Sequence, residues 1–540
     1  MRESYATVWE AIADAIPDAD ALVQGERRVT WGAFDDRAAR IASALASFGI
    51  GPDTPVALFL HNSPEFVEAL TACLKIRAVA TGVNARSGQS ELAHVLGDAR
   101  AGVLVYHRSL GEVVAATQPA MPTRRALVDV DDGSDAPRLA GALAYEDLVA
   151  THDPAPRIPR SGDDPLLWYT GGTTGTPKGV LWEQQALLTF ELVYGAALLD
   201  GVAPTTPAEA ARTAAALTIG DRRLVTLATT PLAHATGANQ LHLTLAHGGT
   251  LVLLPLGRVD GDEICRTVER ERVRLLSVVG DVVLRRVVDA LDRASAAGMP
   301  YDLSSLWRVH SSGSTARAAT KDALHAYAPQ IDLYDSLGAT EGVGFATMVT
   351  TRSGDTETGR FRLGANARVL SPDDRDVVAG SGDAGILAVT ASTGFAYLRD
   401  PERSAAAFRD IGGARHAVLG DWAVPHADGT ITLLGRGTQC INTGGEKVWP
   451  EEVEEVLVAH PAVRDAVVVG IPDDEWGEVV ATIVATHPLA APPDADELAE
   501  WVAARLARYK RPRRVAFAAD VPRTPLGKPD RESARVLLTS

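Results

Sequence analysis

Cysteine is nearly missing from this chain. Its 540 residues hold three, Cys73, Cys265 and Cys440, odd in number and far apart. That fits a reduced, cytoplasmic compartment better than a disulfide framework. No metal-ligand spacing appears among the Cys and His residues. Positive charge is in deficit, with 52 Lys and Arg against 69 Asp and Glu and a formal net charge of −17. Such a balance argues against a nucleic-acid partner, though it leaves room for a local anion site. No apolar run reaches the roughly 18 residues of a spanning helix, so no membrane span is expected. The opening Met1-Arg2-Glu3-Ser4-Tyr5-Ala6-Thr7 carries an acid early and no apolar core, so no signal peptide is expected either. Fixed-period repeats and low-complexity blocks are absent.

What is present is a globular composition, 46% hydrophobic and 22% charged, on a chain long enough for two or more domains. Short apolar runs alternate with amphipathic stretches. Thr30 precedes a helix to residue 48, Pro55–Leu60 is strand-like, and Ser63-Pro64-Glu65 starts another helix. Strand signals recur at Val79–Asn84, Gly102–Tyr106, Leu224–Leu227, Thr250–Leu254, Leu275–Val279 and Trp307–His310, with helices at Ser90–Leu96, Asp262–Arg272 and Val282–Asp292. This alternation indicates α/β layers with a mostly parallel sheet. Residues 120–163 read as loop-rich, and 183–215 as helix broken at Gly201 and Pro204. From 359 onward, short strands with Gly-Asp turns suggest a β-rich subdomain. After Leu433-Leu434-Gly435-Arg436-Gly437 come a glycine loop, a helix starting near Pro450, the strand Ala466–Val469 and a helix over Ala495–Leu506.

The chemistry-bearing stretch is Tyr169-Thr170-Gly171-Gly172-Thr173-Thr174-Gly175-Thr176-Pro177-Lys178-Gly179. Glycines, hydroxyls and an ammonium together favour bound phosphate. It is not a Walker loop, which needs Gly-Lys-Ser/Thr at its end. Later segments fit around it. Thr340-Glu341 places a carboxylate and a hydroxyl at a strand end, suited to hold Mg²⁺ against phosphate oxygens. Gly420-Asp421 offers a carboxylate to ribose hydroxyls, Arg436 a cationic fork, and Lys528 a cation on a turn. Taken alone, each has a plainer alternative: a helix cap, a turn, a surface ion pair, a solvated lysine. Ser311, Ser312 and Gly313 either cap a helix or meet adenine and substrate. His234 either lines an acyl tunnel or is a satisfied core histidine. Asp335-Ser336-Leu337 looks like a phosphopantetheine site but has no small helical domain around it, and is set aside.

In this order the motifs resemble the adenylate-forming superfamily of acyl-CoA synthetases, amino-acid adenylation domains and luciferases. Leu167 through Lys178 matches its AMP-binding signature. Pro231-Leu232-Ala233-His234, Gly338-Ala339-Thr340-Glu341, Gly420-Asp421, Gly435-Arg436, Gly444-Gly445-Glu446-Lys447-Val448 and Gly527-Lys528 follow in the family's sequence, over nearly the whole chain. Asn442 through Val448 is most similar to the fatty- and steroid-type acyl-CoA ligases.

The resemblance implies a large N-terminal domain of layered α/β subdomains with a β-rich subdomain (1–435), a hinge (436–438) and a small mobile α+β C-terminal domain (439–540). It implies ATP-dependent conversion of a small-molecule carboxylic acid to an acyl-adenylate, then transfer to coenzyme A. Lys528, Glu341 and Thr340 would be catalytic. ATP and coenzyme A would meet Thr170, Gly171, Gly172, Thr173, Thr174, Lys178, Ser312, Gly313, Gly338, Asp421, Arg436, Gly444 and Gly445. Mg²⁺ would sit at Glu341 and Thr173. The acid would lie among His234, Gly237, Asn239, Ser311, Gly338 and Val343.

Three departures matter. Thr438 stands where the family usually has Asp or Lys at the hinge. Leu337 stands where an aromatic usually stacks on adenine. Ala235-Thr236-Gly237-Ala238 offers no acid to an α-amine, which argues against amino-acid substrates. Carrier-protein loading or activation of an oxyanion such as nitrite, as diazo-forming relatives perform, stays as the alternative reaction; a non-catalytic nucleotide-binding regulator is the alternative outside catalysis, and Glu341 together with Lys528 speaks against it. A homodimer is left open.

Overall fold

The computed structural model describes residues 2–121, 124–170, 177–256, 259–312, 316–351, 360–391, 395–436, 439–443, 446–473, 476–487, 493–524 and 527–540. Local cap chemistry places several helices where the sequence predicts them. The Thr30 hydroxyl accepts from Ala33 N at 3.3 Å and opens the helix Trp31–Ser47. Ser63 does the same for Pro64–Lys75, where Pro occupies the first turn. That second helix is buried along its whole length, charges included. Its charges are paired: Lys75 Nζ lies 2.8 Å from Glu10 and 2.6 Å from Asp35, and Glu68 lies 2.8 Å from Arg37. Removing one partner of such a pair costs about 3–5 kcal/mol, so these contacts hold the first unit's interior in one arrangement.

The chain divides into two compact units: Met1–Val343, Val349–Asp355 and Ala391–Arg415 in one, Gly344–Met348, Thr356–Thr390 and His416–Ser540 in the other. In this grouping residues 356–390 and 416–436 fall with 439–540. Within the second unit the Glu451 carboxylate of the helix Pro450–Val458 packs against Gly435.

The first unit holds two sheets. In one, strands Asp332–Ala339, Arg308–Ser312, Leu275–Val279, Val225–Ala228, Thr250–Leu253 and Asp20–Gln24 lie parallel in that spatial order, with Arg27–Thr30 antiparallel at the edge. In the other, Pro165–Thr170, Val79–Gly82, Pro55–Phe59, Val103–His107, Ala126–Val130 and Leu143–Ala144 are parallel, while Lys178–Glu183 and Ala396–Tyr397 add antiparallel strands. The strand Ala126–Val130 falls where a loop-rich segment is expected. Its Asp129 interrupts an apolar run, yet it is buried and paired with Arg108 at 2.9 Å. The two sheets meet at the Pro231–His234 turn. Asn62 donates to the Thr230 carbonyl and accepts from Leu232 N, both at 2.8 Å. A Cβ at Gly82 would lie 2.8 Å from Ala233 Cα, so only glycine permits that approach.

The second unit holds most of an antiparallel sheet built from Ala367–Leu370, Gly385–Thr390, Ala414–Pro425, Thr430–Arg436, Arg360–Leu363 and Gly342–Thr350, which is the expected β-rich subdomain. A further sheet pairs Val463–Asp473 with Gly477–Thr486. Strand period two splits its core cleanly. Val468, Val480 and Val484 face Val453, Leu457, Leu498 and Val502 of the helices Pro450–Val458 and Ala495–Ala503. Val467, Val469 and Ile483 face Ala534 and Leu538 of Arg531–Thr539.

Candidate active site

In the first unit, Thr170 and Lys178 are register partners at the loop end of a hairpin formed by Pro165–Thr170 and Lys178–Glu183. Gly171, Gly172, Thr173 and Thr174, including the metal role expected of Thr173, lie outside the described residues. The hairpin's shoulders are braced by one helix, Gln89–Ala99. Asp98 accepts the Tyr169 hydroxyl at 2.5 Å, and His94 Nε2 lies 2.8 Å from the Pro177 carbonyl oxygen. Burial, then Asp98, pushes the Tyr169 phenol well above its ordinary range, so it stays a donor.

Thr340 and Glu341 are fixed to the same hairpin. Trp182 Nε1 donates to the Thr340 carbonyl at 2.6 Å, and the Tyr397 hydroxyl donates to Glu341 Oε1 at 2.6 Å. Tyr397 belongs to Ala396–Tyr397, paired with Leu181 and Val180. The Lys178 ammonium lies 5.9 Å from its ring centroid. Trp182 packs edge-on against Phe395 at 4.4 Å and Trp168 at 6.0 Å.

Behind these residues lies a buried polar wall. Ser311 is fully buried and hydrogen-bonds Asp335, which also pairs with Lys321 and accepts from Ala316 N at 3.1 Å. Ser311 therefore supports the sheet rather than presenting its hydroxyl to an open pocket. Asp335 is committed to that pair. Gln240 Nε2 donates to His310 Nδ1 at 2.8 Å, which leaves His310 Nε2 to donate to Ser336 at 2.7 Å. Burial, then Arg308, pushes His310 down to about 4, so it stays neutral. Ser312 and Ser336 are the last register partners of the two strands, with Ser312 half-buried and Gly313 outside the described residues.

His234 precedes the helix Ala235–Ala246, is half-buried, and closes the Pro231 turn through its N–H at 3.0 Å. Gly237 is buried, and a Cβ there would stand 2.2 Å from the Pro231 carbonyl oxygen. Its smallness permits that turn. Asn239 and Val343 are half-buried, and Gly338 is exposed at the end of Asp332–Ala339.

The second unit carries the rest. Asp421 is the register partner of Arg436, whose side chain lies outside the described residues together with Gly444, Gly445, Gly437 and Thr438. Lys528 is exposed on a braced turn. Its N–H donates to the Thr524 hydroxyl at 3.2 Å, and its carbonyl accepts from Thr524 N at 2.8 Å. Arg523 grips the Gly527 carbonyl at 2.8 Å and forks onto Asp465 at 3.0 and 2.7 Å. Just beyond, Arg531 Nη2 lies 3.0 Å from Glu451 and 2.9 Å from Glu454.

The structure thus brings together Thr170, Lys178, Thr340 and Glu341. Asp98, His94, Trp182, Tyr397 and Asn62 escaped the sequence reading. They are ordinary residue types far away in sequence, and only the hairpin's approach to Thr340-Glu341 reveals them.

Among the described residues no group of three or more His, Cys, Asp or Glu could hold a metal. Glu341 alone offers one carboxylate. That fits Mg²⁺, which takes one or two carboxylates and completes its shell with phosphates and water.

Residues 9–395 match the family described as AMP-binding enzyme, and residues 452–528 match the AMP-binding enzyme C-terminal domain. The chain is 34% identical over 535 residues to a 3-oxocholest-4-en-26-oate–CoA ligase of Rhodococcus rhodochrous, covering 98% of this chain and 95% of that protein. It is 35% identical over 532 residues to a medium/long-chain-fatty-acid–CoA/3-oxocholest-4-en-26-oate–CoA ligase of Mycobacterium tuberculosis, covering 98% and 94%. Among solved structures, the anthranilate CoA ligase AuaEII in complex with anthranoyl-AMP is similar at a TM-score of 0.83 and 23% identity, covering 99% of this chain and 97% of that one. At that identity the likeness shows the fold.

Proposed function

The chain belongs to the AMP-binding enzyme family, and from that premise we propose that it is an AMP-forming acyl-CoA ligase. A carboxylate oxygen attacks the α-phosphorus of ATP, and pyrophosphate leaves. The coenzyme A thiol then attacks the acyl carbonyl, and AMP leaves. The observation that carries this reading is the fixed grouping of Thr170, Lys178 and Glu341 around the hairpin mouth.

The first step joins two anions, so positive charge must stand where the phosphorus gathers negative charge. Lys178 supplies a cation at the phosphate loop. Lys528 supplies a second, carried by the C-terminal part on a hinge at 436–438. Glu341 would hold Mg²⁺, which when bound neutralises phosphate charge. Asp421 would accept the ribose hydroxyls, with Arg436 beside it. Gly444 and Gly445 would leave room for pantetheine.

The acid is an uncharged acyl body of the fatty or steroid-derived class. Support comes from the activities named for the two bacterial relatives and from the absence of an acid in Ala235–Ala238. The three free thiols support a reducing, cytoplasmic setting. Among the described residues no helix is long and apolar enough to cross a membrane.

A pyrophosphate-release assay over a panel of fatty, steroid and aromatic acids, with and without coenzyme A, tests this. A thioester product that requires coenzyme A is expected. Nucleotide turnover indifferent to coenzyme A, with no thioester, would overturn it.

A further inference from the structure

Tyr397 touches both charged residues of the hairpin mouth. Its hydroxyl donates to Glu341 Oε1 at 2.6 Å, and the Lys178 ammonium stands 5.9 Å from its ring centroid. The ring is itself held from several sides. Its strand pairs with Lys178–Glu183, and Tyr397 N donates to Ser404 Oγ at 2.9 Å. Ser404 in turn donates to the Asp400 carbonyl at 2.6 Å, within the turn that starts the helix Pro401–Ala407. Phe408 packs against the ring at 5.9 Å between centroids.

Among the described residues Lys178 and Glu341 form no ion pair with each other. The Tyr397 phenol meets both instead, the ammonium over its ring and the carboxylate at its hydroxyl. It satisfies one carboxylate oxygen and leaves the other for a cation. Donation to a carboxylate enriches the ring in electron density, which strengthens the attraction for an ammonium near its face. A carboxylate held by a neighbouring hydrogen bond presents its metal-facing oxygen in one orientation.

We infer that Tyr397 is the positioning residue for Glu341, keeping its carboxylate aimed at a nucleotide-bound divalent cation and apart from Lys178. The inference rests on the ligase reading, in which Glu341 holds that cation.

Manganese reports on this without turnover. Mn²⁺ is titrated by electron paramagnetic resonance into the full chain saturated with α,β-methylene-ATP, for the wild type, Tyr397→Phe, Glu341→Gln and the double variant. Tyr397→Phe keeps the ring, its packing and its strand pairing, and a thermal melt checks that it folds. It is expected to weaken Mn²⁺ binding about 10-fold, with KM for the acid unchanged. Glu341→Gln is expected to weaken it at least as much, and the double variant no further. Wild-type Mn²⁺ affinity in Tyr397→Phe, or a second loss of similar size in the Glu341→Gln background, overturns the positioning role while leaving the ligase reading intact. Wild-type affinity in Glu341→Gln overturns the metal assignment, and the positioning role falls with it.

Discussion

Trp182 Nε1 donates to the Thr340 carbonyl oxygen at 2.6 Å. The bond ties the strand that follows the phosphate loop to the turn carrying Glu341. Because it uses the backbone of Thr340, it sets the position of both residues of the turn. Trp182→Phe keeps the aromatic packing against Phe395 and removes the donor. A shift of the turn by a fraction of an ångström would misplace Glu341. The expected result is a fall of about 10-fold in kcat/KM for ATP with little change in Tm. Steady-state kinetics alongside calorimetry check it; a large loss of Tm with unchanged kcat/KM would assign the bond to stability alone.

The Tyr169–Asp98 bond braces the loop's first shoulder and the His94–Pro177 contact its second. Tyr169→Phe is expected to cost about 1–3 kcal/mol of stability, because a partly buried charge-assisted hydrogen bond is lost. KM for ATP should rise. Asp98→Ala should cost a similar amount, and the pair together little more than either alone. Additive losses in a double-mutant cycle by urea unfolding would show that the two side chains do not act through each other.

Some of this was legible in the sequence for local reasons. Thr30 and Ser63 announce their helices because cap chemistry acts within three residues, and the strand Leu275–Val279 is an unbroken apolar run. The order of glycine motifs singled out Lys178, Glu341 and Lys528 as candidates. The strand Ala126–Val130 was hidden because its buried Asp129 finds its cation, Arg108, outside the run. Tyr397 was hidden because its partner Glu341 is 56 positions away in the chain. The bond from Ser311 to Asp335 and the close fit of Gly237 against the Pro231 turn join segments that no local pattern relates. Pattern carries the backbone's local preferences; the pairing of polar side chains across sheets is decided by tertiary approach.

Gly435 has φ of +95°, and a Cβ there would stand 2.2 Å from Glu451 Oε2. Gly435→Ala therefore meets both backbone strain and a carboxylate held in place by Arg531. A destabilisation of about 2–4 kcal/mol is expected. Adding Glu451→Ala should recover the steric part and leave the backbone part. Full recovery in chemical denaturation would show that the left-handed conformation costs nothing here.

Glu454 is raised to about 7, by burial first, against the opposing pull of Arg531. Its folded-state affinity for a proton exceeds its unfolded one. The stability it contributes is fully present below the unfolded value of about 4.5 and is lost as pH rises through about 7. The wild type should therefore lose stability from about pH 5 to about pH 8. Glu454→Gln, which keeps the shape and cannot ionise, should flatten that decline. Unfolding followed by calorimetry across this range checks it; an equally steep decline in the Gln variant would place the titration elsewhere.

Lys528 is exposed, while the turn that carries it is held by its own backbone bonds and by Arg523 forked onto Asp465. None of these bonds uses the Lys528 side chain, and Lys528→Ala is expected to melt like the wild type. Its effect should fall on one half-reaction. Losing a cation placed against developing phosphate charge costs about 2.7–4 kcal/mol, so adenylation is expected to slow about 100- to 1,000-fold. Thioester formation from supplied acyl-adenylate and coenzyme A involves no attack on phosphorus and should proceed at the wild-type rate. Single-turnover measurement of each half-reaction separates the two. Equal slowing of both would mean that Lys528 acts on domain arrangement rather than on the α-phosphate, and unchanged adenylation would remove it from the chemistry.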